Sequence, residues 1–218
     1  MREEIKIVLP PYKIIYSVLI VMFLPVLRGI SDTNEIGCTM DVMMSALTMV
    51  MFADTYLVEK REQRWEIISL LPEKSRKRMV YMRFFIQLIY ILFFSAAGYF
   101  TFFIWKPVTQ DFHSELQKYF EYLLAVGISI VFWGILVLII ANVTSNIWKG
   151  IGTGLVLWLN LFSTLGNRTL GRYNVFAYVY AETDTGISGW IPGKIIGLMI
   201  AGVLGILILP KTLEFRRD

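Results

Sequence analysis

The sequence predicts an all-α integral membrane protein with six transmembrane helices. Three observations lead there. First, 56% of the 218 residues are hydrophobic, 15% are aromatic and only 17% are charged, with a mean hydropathy of +0.60. A soluble domain averages roughly 45–50% apolar and about 25% charged residues. Second, the apolar residues fall in blocks of the length that crosses a bilayer, about 20 residues for a helix. Third, the basic residues flank those blocks. With the termini and the 59–83 loop on one side, only Arg28, Lys106, Lys118, Arg168, Arg172 and Lys194 of the 21 Lys and Arg residues fall on the other. That asymmetry orients the termini inward. It also accounts for the net charge of +4 without a nucleic-acid partner. One cysteine, Cys38, and one histidine, His113, leave no internal disulfide and no thiolate or imidazole metal set.

The elements follow in order. Residues 1–12 read as an amphipathic interfacial helix, with Met1, Ile5 and Val8 on one face and Pro10-Pro11 ending it. The first span runs from Lys13 to Leu27, with Lys13 and Arg28 snorkelling to opposite interfaces. The second runs from Cys38 to Val58 and holds Asp41, Asp54 and half of the ten methionines. A Met-rich wall either packs helices or adapts to apolar ligands. Acidic groups at membrane depth are costly and point to a paired or functional role. Asp41, Met44 and the deeper Asn160 of the fifth span are the candidate substrate-pathway residues. For Asp54 the expectation is a structural pair, with Arg83 as its partner.

The third span runs from Arg83 to Ile104, the fourth from Tyr119 to Ala141 and the fifth from Gly150 to Leu165, with residues 108–118 as a polar loop. Gly150 and Gly154 form a small-xxx-small pair, which permits close helix approach. Residues 166–193 are aromatic-rich and moderately polar, which suits either a re-entrant hairpin or a surface loop. The sixth span runs from Lys194 to Leu209. Gly193, Gly197, Ala201 and Gly205 recur along it every four residues as a ridge for helix packing.

Between the second and third spans lies the one long charged run. Glu62, Glu66 and Ser69 share a helical face, Ile67, Ile68, Leu70 and Leu71 cluster on another, and Pro72 ends the helix. Ser75 then suits an N-cap, beside the basic cluster Lys74 to Arg78. The pattern of Glu59 to Trp65, Ile67 to Leu71, Pro72 and Lys74 to Arg78 resembles the cytoplasmic loop of the ABC type-2 exporter permeases. The resemblance implies a single transmembrane permease domain over 1–218, with a cytoplasmic coupling loop at 59–78 and an outer re-entrant region at 166–193. It implies a plasma membrane location, in bacteria the cytoplasmic membrane, with both termini cytoplasmic. It implies two copies of a separate ATPase subunit, which bind ATP and Mg, and a second permease subunit, identical or not, that completes the pathway. Glu62, Arg64, Trp65, Glu66, Ile68 and Leu71 would then contact the ATPase.

Motifs for catalysis are missing. No phosphate-cradling G-x-x-x-x-G-K-[ST] occurs, and the nearest string, Gly189 to Ile195, is one residue short between its glycines. No H-E-x-x-H or G-x-S-x-G is present either. The chain therefore reads as no enzyme, with no cofactor of its own and no nucleotide-binding domain. Its expected cargo is an amphipathic or hydrophobic molecule such as a peptide, lipid or drug. The alternatives are a non-transporting sensor or immunity protein that binds a peptide or lipid, and an ion-coupled secondary transporter, which would show an internal repeat.

Overall fold

The structure, a computed structural model, describes residues 2–30, 33–58, 72–105, 112–180 and 189–213. Ten α-helices occur among them: α1 (Arg2–Val8), α2 (Pro11–Arg28), α3 (Thr33–Phe52), α4 (Glu73–Trp105), α5 (Phe112–Thr144), α6 (Ile147–Phe162), α7 (Thr164–Leu170), α8 (Ala177–Tyr180), α9 (Ile191–Val203) and α10 (Leu209–Thr212). A 3₁₀ turn at Gly171–Tyr173 and a π-helical segment at Leu204–Ile208 complete the set. No strand occurs among the described residues. The helices α3, α4, α5 and the continuous stretch Ile191–Thr212 are long and apolar enough to cross a membrane. The stretches Pro11–Phe23 and Ile147–Phe162 are shorter apolar helices.

Two helices form the centre. α3 and α5 pack along each other, with α4, α6 and α9 around them. The core is made of their facing residues, including Met40, Met44, Met49, Phe52, Tyr122, Val126, Ile130, Trp133 and Val137. Glycine sets the closest approaches. A Cβ on Gly154 would lie 2.6 Å from Val137 Cγ2 and 2.9 Å from Met49 Sδ, and one on Gly150 would lie 2.7 Å from Ala141 Cβ. The α5–α6 hairpin is therefore seated backbone to backbone. Its turn places Ser145 at a φ of +48°, and Asn146 caps α6 by accepting from the Trp148 and Lys149 amides.

Several boundaries differ from the expectations, each for a physical reason. The interfacial helix ends at Val8 and not at residue 12, because Pro10 has no amide to continue it and Pro11 already opens α2. α3 begins at Thr33, five residues before Cys38, and α5 begins at Phe112 inside the expected polar loop. These polar extensions support each other: Thr33 Oγ1 donates to Glu115 Oε2 at 2.9 Å, and Lys118 Nζ to Asn34 Oδ1 at 3.2 Å. α3 stops at Phe52, and 53–57 turn away from the helix. α4 starts at Glu73, so Ser75 lies inside it. The amides of Ser75 and Arg76 reach the Pro72 carbonyl, which takes the first acceptor position. The π-helical segment precedes Pro210, whose ring cannot tolerate the carbonyl four residues earlier in a regular helix.

Two buried polar centres in the helical bundle

The candidate coupling residues Glu62, Arg64, Trp65, Glu66, Ile68 and Leu71 lie outside the described residues. What the structure describes is where that segment is rooted. At the end of α3 the chain leaves the helix, and the carbonyls freed there must find donors. The donors come from other helices. Lys13 of α2 donates to the Met51 carbonyl at 3.1 Å, and so does Gln87 Nε2 of α4 at 2.8 Å. Thr55 Oγ1 donates to Gln87 Oε1 at 2.8 Å. Lys13 also closes an ion pair with Asp54 Oδ1 at 2.6 Å. Arg83 of α4 reaches the Thr55 carbonyl through Nη1 at 3.5 Å and pairs through Nε with Glu4 of α1 at 2.6 Å. Four elements, α1, α2, α4 and the end of α3, thus meet in one joint. None of the joint's buried side-chain nitrogens or oxygens lacks a partner.

The joint revises two expectations. Lys13 does not snorkel to water. Its side chain is 2% exposed, because Asp54 meets it inside the bundle. The partner that the structure gives Asp54 is therefore Lys13, and the carboxylate on Arg83 is that of Glu4.

A second centre lies near the middle of α3. Asp41 sits about 12 Å along the axis from Thr33 at 1.5 Å per residue, and it is fully buried. Lys194, in the first turns of α9, donates to Asp41 Oδ2 at 2.7 Å and to Ser129 Oγ of α5 at 2.6 Å. Lys194 was expected among the outer-side charges at the start of the sixth span; it is 1% exposed. The second carboxylate oxygen, Asp41 Oδ1, has no hydrogen-bond partner. Burying a charge pair is tolerable only where geometry is good and the remaining lone pairs are met, and here one is not.

The chain folds back over this centre. Residues 174–178 are buried between α5, α6 and α9. Asn174 Nδ2 donates to the Leu161 carbonyl at 2.7 Å, and its Oδ1 accepts from the Phe176 amide at 3.0 Å. Phe176 stacks on Trp133 at a centroid distance of 5.9 Å and meets Trp158 and Phe162 edge-on. Tyr180 Oη donates to the Phe162 carbonyl. Gly193 lies so close to the Asn174 carbonyl that a Cβ would stand 2.0 Å from it. Farther along α9, Gly197 faces Val175, Ala201 is buried and Gly205 faces Ile135. In this fold-back, the hairpin of the 166–193 expectation, residues 174–178 and Gly166 are buried, whereas most of Thr164–Tyr173 is exposed.

Of the candidate pathway residues, Asp41 and Met44 share the buried face of α3. Asn160 does not join them. It is exposed, and its Nδ2 donates to the Val156 carbonyl of its own helix at 2.9 Å. Sequence reading missed Lys194, Lys13, Ser129 and Gln87 as members of these centres. The signal was present. Lys13 and Asp54 are assigned to the same inner end of their spans, and Asp41 and Lys194 to the same outer end. Compared with protein-family models, curated proteins and solved structures, the chain matches none.

Proposed function

We propose that the chain is the permease subunit of an ATP-driven exporter, acting with a separate ATPase subunit and a second permease subunit. Both termini and the 59–78 loop are cytoplasmic in this reading, and α2 and α6 cross the membrane as well as the four longer helices. The pairing pattern supports the six-span arrangement. Glu4 with Arg83, Lys13 with Asp54, and Asn142 with Thr212 each join residues assigned inside. Asp41 with Lys194, and Thr33 with Glu115, each join residues assigned outside.

The observation that carries the coupling role is the joint at residues 51–55. It stands at the root of the 59–71 segment, whose charged and apolar faces suit a helix that docks into a groove of a partner. A push on that segment acts on α3, and the joint passes it to α1, α2 and α4 as a unit. ATP-driven closure of two ATPase subunits then shifts the spans between inward-open and outward-open states. The test is Trp65→Ala combined with Leu71→Ala. Membrane insertion should persist while co-purification of the ATPase subunit weakens and export stops. An ATPase that stays bound, with export intact, would instead mean that the segment lies on lipid.

A further inference from the structure

The Asp41–Lys194 centre differs from an ordinary structural ion pair in two ways. Its carboxylate is satisfied unevenly: Lys194 donates to Oδ2 and the Ser129 hydroxyl also bonds the carboxylate, but Oδ1 has no hydrogen-bond partner although it is fully buried. An unmet oxygen on a buried carboxylate is expensive. The lysine that neutralises it also comes from the least enclosed of the long helices. Across its spanning window α3 is 72% buried within the chain, whereas the Ile191–Thr212 stretch is 22% buried. Lys194 is the basic side chain nearest the start of α9, where Gly193 packs on the hairpin carbonyl of Asn174. The pair therefore holds a lightly packed helix and its hairpin against the α3–α5 centre. The hairpin and α5 bring aromatic rings, Trp133, Phe176 and Tyr178, to the same end of the bundle. Aromatic faces favour cations once water is excluded.

We propose that Asp41 is a cation site whose resident occupant is the chain's own Lys194, and that the ammonium or guanidinium group of an amphipathic ligand displaces that lysine. The lysine is a tethered cation. A ligand cation takes over the carboxylate, Lys194 withdraws toward the outer end with α9, and the hairpin loosens from α3. No bond is made or broken. The inference deepens the permease reading by naming the class of cargo head group, but its test needs no ATPase.

The chain is purified in dodecyl maltoside, and thermal unfolding is followed with added dodecylammonium or, as the anionic control, dodecanoate. Lys194→Met leaves Asp41 without its cation. Dodecylammonium should raise the Tm of that variant by about 5 °C or more, the size expected for a ligand that binds only the folded state well above its Kd. Dodecanoate should not, and Asp41→Asn with Lys194→Met should respond to neither. Equal shifts in the single and double variants would overturn the site. Should Lys194→Met fail to fold, the wild-type chain gives the second reading. Cys38 lies one turn before Asp41, half-buried, with its Sγ 3.9 Å from the Tyr178 carbonyl of the hairpin. Dodecylammonium should speed its modification by a thiol reagent severalfold in the wild type and leave the rate unchanged in the double variant. An equal effect on both would refute displacement. Loss of this effect with ATPase co-purification intact would sink the cation site alone.

Discussion

Two polar centres along α3, one past its last turn and one near its middle, solve the same problem differently. Just past the last turn of α3, Asp54 faces Lys13 within a joint in which no buried side-chain nitrogen or oxygen lacks a partner and which binds four elements together. Near the middle of α3, Asp41 faces Lys194 and Ser129, with one oxygen unmet and a lightly packed helix supplying the cation. A satisfied network moves as a body, because breaking any member strands the others. A half-satisfied pair can be exchanged. In the permease reading proposed above, the difference gives transmission to the joint and opening to the Asp41 centre.

The largest expected effect comes from stranding a charge in the inner joint. Asp54→Ala leaves the Lys13 ammonium buried beside carbonyls alone and should cost about 3–5 kcal/mol, read by unfolding in detergent. Replacing both, Lys13→Met with Asp54→Leu, should recover most of that loss. A double variant as unstable as the single would mean that Lys13 contributes through packing. A smaller effect follows from close helix approach. Gly154→Leu drives a side chain into Val137 and Met49 and should cost about 1–3 kcal/mol. Gly152→Leu, with nothing within 4 Å of its Cβ position, should stay within about 0.5 kcal/mol of wild type. Gln87→Leu removes the donor to the Met51 carbonyl and the acceptor for Thr55, at an expected cost of about 1–3 kcal/mol. Among the polar changes the smallest effect is at Glu4, which is 22% exposed in its pair with Arg83. Glu4→Gln should cost less than about 1 kcal/mol, and added salt should weaken the wild-type pair toward the same value.

The sequence made the helical membrane character legible because hydropathy is a property of each block alone. It also marked Gly150 and Gly154, since small residues at a spacing of four have one physical use in lipid. It placed α3 and α5 too short, because Thr33, Asn34, Glu115 and Lys118 look like loop residues until each is seen to satisfy another. Lys13 was read as an interface anchor and Lys194 as an outer-side charge for the same reason. A charge at the end of an apolar block has two outcomes, water or a partner on another helix, and a single block cannot distinguish them. Comparing the depth of acids and bases across spans would have proposed both pairs. Asn160 was misleading in the opposite direction. A polar residue in an apolar helix suggested an interior position, but its amide is met by its own helix, which lets it face outward.

The central claim of the permease reading is that motion at the 59–71 segment reaches the Cys38–Asp41 half of α3. The direct measurement is the rate at which a membrane-impermeant thiol reagent modifies Cys38 from outside, with the ATPase subunit resting or held by a non-hydrolysable ATP analogue. The account predicts a severalfold difference between the two states, lost in Trp65→Ala with Leu71→Ala while the resting rate stays the same. Equal rates in both states, or a difference that survives in the double variant, would contradict it.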